Sequence, residues 1–252
     1  MDAITALVAA SPAAVAAHDK AGWLRLWTSN HVIEDPVGSR PVLGGVYDRR
    51  SGDRTGGPLA RFWDAFIGPN DITFEVFSDF VDGLDVVRDV TIHTTLRTGV
   101  TVSTPAHLLY QLAHEHGELK IRRMAAHWEP LPVFARLLRP TPAHVAAIAG
   151  MGAAMLRNLG PAGTARFTGA VAGVGRHGKA VVRDLAARAA AGDNAALDRL
   201  DGFVPRDLHK VIAGGDTVTA RCTVDDAQAL LLVTLNRRTL AVTEARLLRH
   251  TA

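Results

Sequence analysis

A change of hydrophobic period at Ile72 constrains the fold of this chain more than any other feature. Before it, apolar residues recur at helical spacing; after it they alternate with a period of two. Residues 72–77 alternate, and residues 86–96, 100–113 and 118–128 read as three longer strands parted by turns at Thr98-Gly99 and His116-Gly117. Upstream, Ser11-Pro12 has the form of an N-cap followed by proline at the first helical position, predicting a helix to about Ser29 with a break at Gly22. Trp23 and Trp27, four apart, would then share one face. Residues 47–57, rich in Gly, Arg and Asp, read as a loop. Pro58 opens a second helix over 59–67, whose Leu59, Phe62, Trp63 and Phe66 form one apolar stripe closed by Gly68-Pro69. Helices followed by a strand meander predict an α+β fold, with the helices on one face of a curved antiparallel sheet. Strands of about ten residues in a twisted sheet can curl around the helices and leave an apolar hollow.

Beyond Trp128 the pattern restarts. Prolines at 130, 132, 140 and 142 mark residues 131–142 as a linker between a first domain, 1–130, and a smaller second one, 143–252. The second domain is predicted to be helical over 143–159 and 179–191, followed by the segment 194–200, then stranded over 218–224, 229–235 and 240–248. Helices and then a meander thus occur twice, as in a degenerate copy, although the halves share little residue identity. Tandem cores of this size suit a chain of 252 residues.

Composition narrows the function classes. A hydrophobic fraction of 48% with 21% charged residues is that of a globular protein. The net charge of +3 is small and the basic residues are scattered, which argues against a nucleic-acid partner. A lone cysteine, Cys222, rules out an internal disulfide and fits a reducing compartment. The N-terminus has no Lys or Arg before Lys20, unlike a secretory signal, and the longest apolar run, Val145 to Leu156, is too short to span a bilayer. These features predict a soluble, cytoplasmic protein with no membrane span. The Ala- and Gly-rich run can serve as a homodimer contact or as a cover for the sheet.

Chemistry concentrates between His31 and Gly45. Val32 and Ile33 run into Glu34, Asp35 and Pro36, so the chain leaves a buried segment and turns where the acids stand. Asp35 is thereby placed at the rim of a core, where desolvation raises a carboxyl pKa toward the range useful for taking a proton from carbon. The same residues also suit a solvated turn.

The segment Val-Ile-Glu-Asp-Pro-Val-Gly-Ser-Arg-Pro-Val-Leu-Gly, the helix from Phe62-Trp63 to Phe66, the turn His-Glu-His-Gly and the strand from Ile121 to Trp128 together resemble the ketosteroid isomerase and SnoaL-like cyclase superfamily. The resemblance covers residues 11–129 and implies a cone-shaped cystatin-like α+β fold for the first half. It also implies that Asp35 is the base that moves a proton between carbons of an unsaturated ketone, and that Trp128 lines the pocket. The pattern departs from the family at two points. No tyrosine precedes Tyr47, and the strand that would supply a second acid, one kept protonated to donate to the oxyanion, reads His107-Leu-Leu-Tyr110-Gln-Leu112. Tyr110 stands on that strand and is the candidate oxyanion donor.

Other constellations carry less. Asp89 and His93 share a strand face, but Val86, Val90, Ile92 and Thr94 make the better core side, so the pair is predicted to point outward. His127 alternates with Trp128 and is likewise predicted external. The run from Gly173 to Ala180 resembles a phosphate loop only loosely, since Ala180 stands where Mg²⁺ needs a hydroxyl, and its glycines suit a tight approach into a helix. His114 and His116 lack a third metal ligand at useful spacing. The reading is of a protein that transfers a proton alpha to a carbonyl on a bulky apolar, steroid- or polyketide-like molecule. Asp35 and Tyr110 act within a wall of Trp23, Trp27, Phe62, Trp63, Phe66, Met124 and Trp128, with no cofactor and no metal. The alternative is a noncatalytic ligand-binding or protein-interaction member of the same fold. Dehydration or epoxide opening, with His18 taking part, is a third use of such a cup.

Overall fold

The computed structural model describes residues 2–45, 57–168, 171 and 173–250. The predicted loop over 47–57 therefore lies, apart from Gly57, outside the described residues.

The chain starts in helix earlier than the Ser11-Pro12 signal predicts. Helix α1, Ala3–Ala16, is capped by Asp2, whose side chain accepts from the Thr5 amide at 2.7 Å. Pro12 sits inside it and cannot donate to the Val8 carbonyl four residues back. That carbonyl instead accepts from Arg88 Nη1 at 3.3 Å, so the missing helical bond is replaced from the sheet. A second correction follows at the tryptophans. Helix α2, Lys20–Arg25, capped by the Asp19 carboxylate, ends before Trp27, which opens strand β1, Trp27–Glu34. Trp23 and Trp27 still meet edge to face at 5.1 Å, across a helix–strand junction rather than along one helix.

Strand β2, Val42–Leu43, pairs with β1; helix α3, Gly57–Phe62, continues as a π-helical turn, Trp63–Ile67. The meander follows as β3, Asp71–Asp82, β4, Asp85–Thr95, β5, Thr101–Glu115, and β6, Glu118–His127. Its inner face carries Val86, Val90, Leu108, Tyr110 and Met124 and packs on Val8, Trp23, Leu59 and Phe62 of the helices. Offsets in register at Val76/Ser78 and Gln111/Leu112 bend the long strands, as bulges do. The result is an α+β fold whose curved sheet remains unclosed.

The remaining elements are α4, Pro130–Leu137, within the expected linker; α5, Pro142–Thr168, broken at Gly160; α6, Gly175–Ala190; and α7, Asn194–Arg199. Four strands end the chain: β7, Arg206–Gly214, β8, Thr217–Val224, β9, Ala227–Leu235, and β10, Val242–His250. They form a second meander with its own core of Val182, Leu185, Val218, Leu231 and Val233 under α6. The two meanders join edge to edge through Val81–Arg249 and Phe80–His250, giving one ten-stranded sheet of order β2-β1-β6-β5-β4-β3-β10-β9-β8-β7. They also face each other, because Val87, Leu109 and Ala125 from the outer side of the first pack on Leu230, Leu232 and Leu248 of the second. Glycines allow two close approaches here: a Cβ on Gly173 would lie 2.5 Å from the Gly215 carbonyl oxygen within the second half, and one on Gly38 would lie 2.7 Å from the Gly215 Cα across the two halves, which Lys179 and Glu129 also link at 2.6 Å. No helix among the described residues is long and apolar enough to cross a membrane.

Candidate functional site

Between the inner face of the first meander and the helices lies a cavity of about 500 Å³. Asp35 lines it, at the point where the chain leaves β1. The segment after it is pinned to β6 by the Val37 amide, which donates to the Ala126 carbonyl at 2.9 Å. Trp128, one residue past the end of β6, donates its indole N–H to Asp35 Oδ1 at 2.7 Å. Burial pushes the Asp35 carboxyl above the usual carboxylate range, and the indole N–H opposes that shift without cancelling it. One oxygen is thus held in place while the group retains a raised affinity for protons.

Tyr110 also lines the cavity, paired in register with Met124 of β6 and Val86 of β4. Burial raises its phenol above the usual tyrosine range, while the nearby Arg88 and Ser11 pull the other way without cancelling the shift, so it stands as a neutral donor. Ser11 also accepts from the Trp23 indole N–H at 3.2 Å. Arg88 is buried, paired with Asp79 at 2.7 and 2.8 Å.

The structure brings Trp23, Phe62, Phe66, Met124 and Trp128 to the cavity together with Asp35 and Tyr110. Trp27 and Trp63 stand behind that wall. Both are buried, and each packs on Trp23, at 5.1 and 5.4 Å between ring centroids, so they support the wall without forming it. Ser11, Arg88 and Thr104 escape sequence reading, as does the contribution of α4 and α5, whose Leu137, Ala147 and Met151 cover the far side. The one signal in the sequence was the small, apolar composition of 145–156, which does not say what it covers.

The outward residues of β4 and β6 require a correction. Asp89 and His127 do face away from the cavity, but both are buried, at 1% and 3% exposed, because the second meander covers that side of the sheet. His93 is part-buried and hydrogen-bonded to Ser103 at 2.9 Å, and His18 pairs with Asp71 at 3.1 Å on the surface. Among the described residues, no group of three or more His, Cys, Asp or Glu is placed to hold a metal ion.

About half of this chain is similar to several solved structures, each matched over nearly its whole length. The Δ5-3-ketosteroid isomerase of Mycobacterium sp. is 24% identical, over 52% of this chain and 95% of that one, with a TM-score of 0.42. A Mycobacterium tuberculosis protein crystallised with estradiol-17β-hemisuccinate is 22% identical over 50% and 94%, at 0.42. A putative polyketide cyclase of Pseudomonas putida is 18% identical over 54% and 98%, at 0.41. No family model matches the chain, and no curated protein does.

Proposed function

We propose that the first half of this protein transfers a proton alpha to a carbonyl on a bulky apolar substrate, with Asp35 as the base. The observation that carries this reading is a carboxylate with raised proton affinity, fixed through one oxygen by Trp128, on the wall of a mostly apolar cavity. Asp35 takes the proton from the carbon next to the carbonyl, and the electron pair moves onto the carbonyl oxygen. The neutral Tyr110 phenol donates to that oxygen as it gains charge. Asp35 then returns the proton to a carbon further along the conjugated system, which shifts the double bond and restores the carboxylate. Apolar walls hold the substrate mainly by burial and keep water from the enolate.

A second reading has its own support. No second carboxyl stands on β5 beside Tyr110, so a cup that binds an apolar molecule without chemistry fits the same walls. Asp35→Asn separates the two. The isomerase reading expects turnover of a β,γ-unsaturated ketone to fall by about 10²- to 10⁴-fold, the usual contribution of a positioned base, with ligand affinity retained. Equal turnover in both forms, or none in either, would leave the binding role alone.

A further inference from the structure

Helices α4 and α5 cover the far side of the cavity, yet their outer side is itself uncovered. Five of the nine large apolar side chains exposed among the described residues stand between residues 131 and 156: Leu131, Leu138, Val145, Ile148 and Leu156, at 38% to 73% exposure. The inner side of α5 is apolar as well, with Ala147 packed on Leu137, Val100 and Val102. A helix apolar on every side requires cover on every side, and a concentration of exposed apolar side chains marks an interaction surface.

Charge indicates what the cover is. Basic residues are spread along the whole sequence, but acids are not: residues 130–183 contain seven Lys and Arg and no Asp or Glu. The rest of the chain holds twenty-one Lys and Arg against twenty-five Asp and Glu, so the entire basic excess belongs to the segment that carries the exposed apolar residues. Arg136, Arg139 and Arg157 are exposed on or beside the two helices. Ala146, Gly150 and Ala153 line the cavity and are themselves exposed, so the cavity opens alongside α5.

We propose that α4 and α5 dock this protein on the surface of an anionic lipid bilayer. The apolar side chains enter the boundary between headgroups and acyl chains, the arginines meet the lipid phosphates, and the cavity mouth lies beside the membrane. A second copy on the same face would set these cations against one another with no acid in the segment to pair them. A nucleic acid would match the arginines but leave the five apolar side chains in water. If the ligand reading above holds, an apolar ligand passes between bilayer and cavity without crossing bulk water; the docking itself does not depend on that reading.

The test is sedimentation of the full chain with vesicles of phosphatidylcholine alone or of equimolar phosphatidylcholine and phosphatidylglycerol. Binding is expected to the mixed vesicles, weaker to the neutral ones, and reduced by salt. Arg139→Glu should weaken it on the order of tenfold or more, and Leu138→Glu with Val145→Glu should abolish it. The altered positions are exposed, so circular dichroism should show the fold retained. Asp35→Asn should sediment as the wild type does, which keeps this result separate from the fate of the catalytic reading. Folded wild-type protein that ignores the mixed vesicles, or binding that these substitutions leave unchanged, would overturn the proposal. So would a dimer that Leu138→Glu with Val145→Glu dissociates in the absence of vesicle binding, which would give the face to a second copy.

Discussion

Asp35 is held between two opposing influences, and the balance between them sets its contribution to stability and, in the proposed reaction, to rate. Burial disfavours its charged form, so the native state binds a proton more tightly than the unfolded chain does. Between the unfolded pKa and the raised native one, folding therefore takes up a proton and stability falls as pH rises. Asp35→Asn, already expected to lose turnover, should for this reason melt higher than the wild type at neutral pH, checked by calorimetry at two pH values. Trp128 acts in the other direction, because its N–H favours the carboxylate. Trp128→Phe keeps most of the ring surface and removes that donor. The Asp35 pKa should rise further, moving the acid limb of the kcat/KM profile to higher pH and lowering the rate below that limb by about tenfold, the worth of a hydrogen bond to a charged group. A uniform fall at all pH values would indicate lost packing instead.

At the scale of elements, what the sequence reveals depends on whether an element's pattern is local. Strands β4 to β6 could be placed within a few residues, since each alternates over its length, whereas only the first half of β3 could. Helix α1 was hidden because the partner that tolerates Pro12 is Arg88, eighty residues away in β4. Strand β7 was missed because its register shifts twice, at Arg206/His209 and His209/Ile212, and Asp207 and Lys210 adopt positive φ, which breaks the alternation. The Glu34-Asp35-Pro36 corner was legible as a turn at the rim of a core, whereas the place of Ser11 on the cavity wall had no local sign. Helix α5 was legible as a helix and silent about its role, since a run of alanines and glycines has no preferred side. Its small residues now define the size of the cavity, and that can be tested at Gly150, where an added Cβ meets nothing within 4 Å. Gly150→Leu should extend into that space, stabilise the helix by about 0.5 to 1 kcal/mol through propensity, and weaken binding of a bulky apolar ligand. Denaturant melts and ligand titration of the one variant check both outcomes, and reduced stability would place the position against packed neighbours rather than open space.

At the scale of the whole molecule, the two meanders bury between them a layer of titratable groups that neither half would bury alone. Asp89 and His107 on the outer side of the first meander meet Lys210, Thr219 and Arg221 of the second: Asp89 is bound by Lys210 Nζ and, at 3.1 Å, by Arg221 Nη1, while His107 shares a hydrogen with Thr219 Oγ1 at 2.7 Å. His127 lies beside them with its Nδ1 3.2 Å from the His107 carbonyl oxygen. Burial pushes His127 down to about 4, and burial together with Lys210, His127 and Arg221 pushes His107 well below its ordinary value. Both imidazoles are therefore neutral in the native layer and protonated in the unfolded chain below its pKa of about 6.5. The stability they allow is fully present above that pH and is lost as pH falls toward the native values, because the unfolded state then binds the extra protons. For His127 alone the loss between pH 6.5 and 4 is on the order of 3 kcal/mol. Denaturant unfolding across this range should show stability falling steeply with acid in the wild type and less steeply in His127→Gln, which cannot take up the proton. Equal slopes would mean that the imidazole is protonated as readily in the native protein as in the unfolded chain, and that the two meanders do not exclude water from this layer.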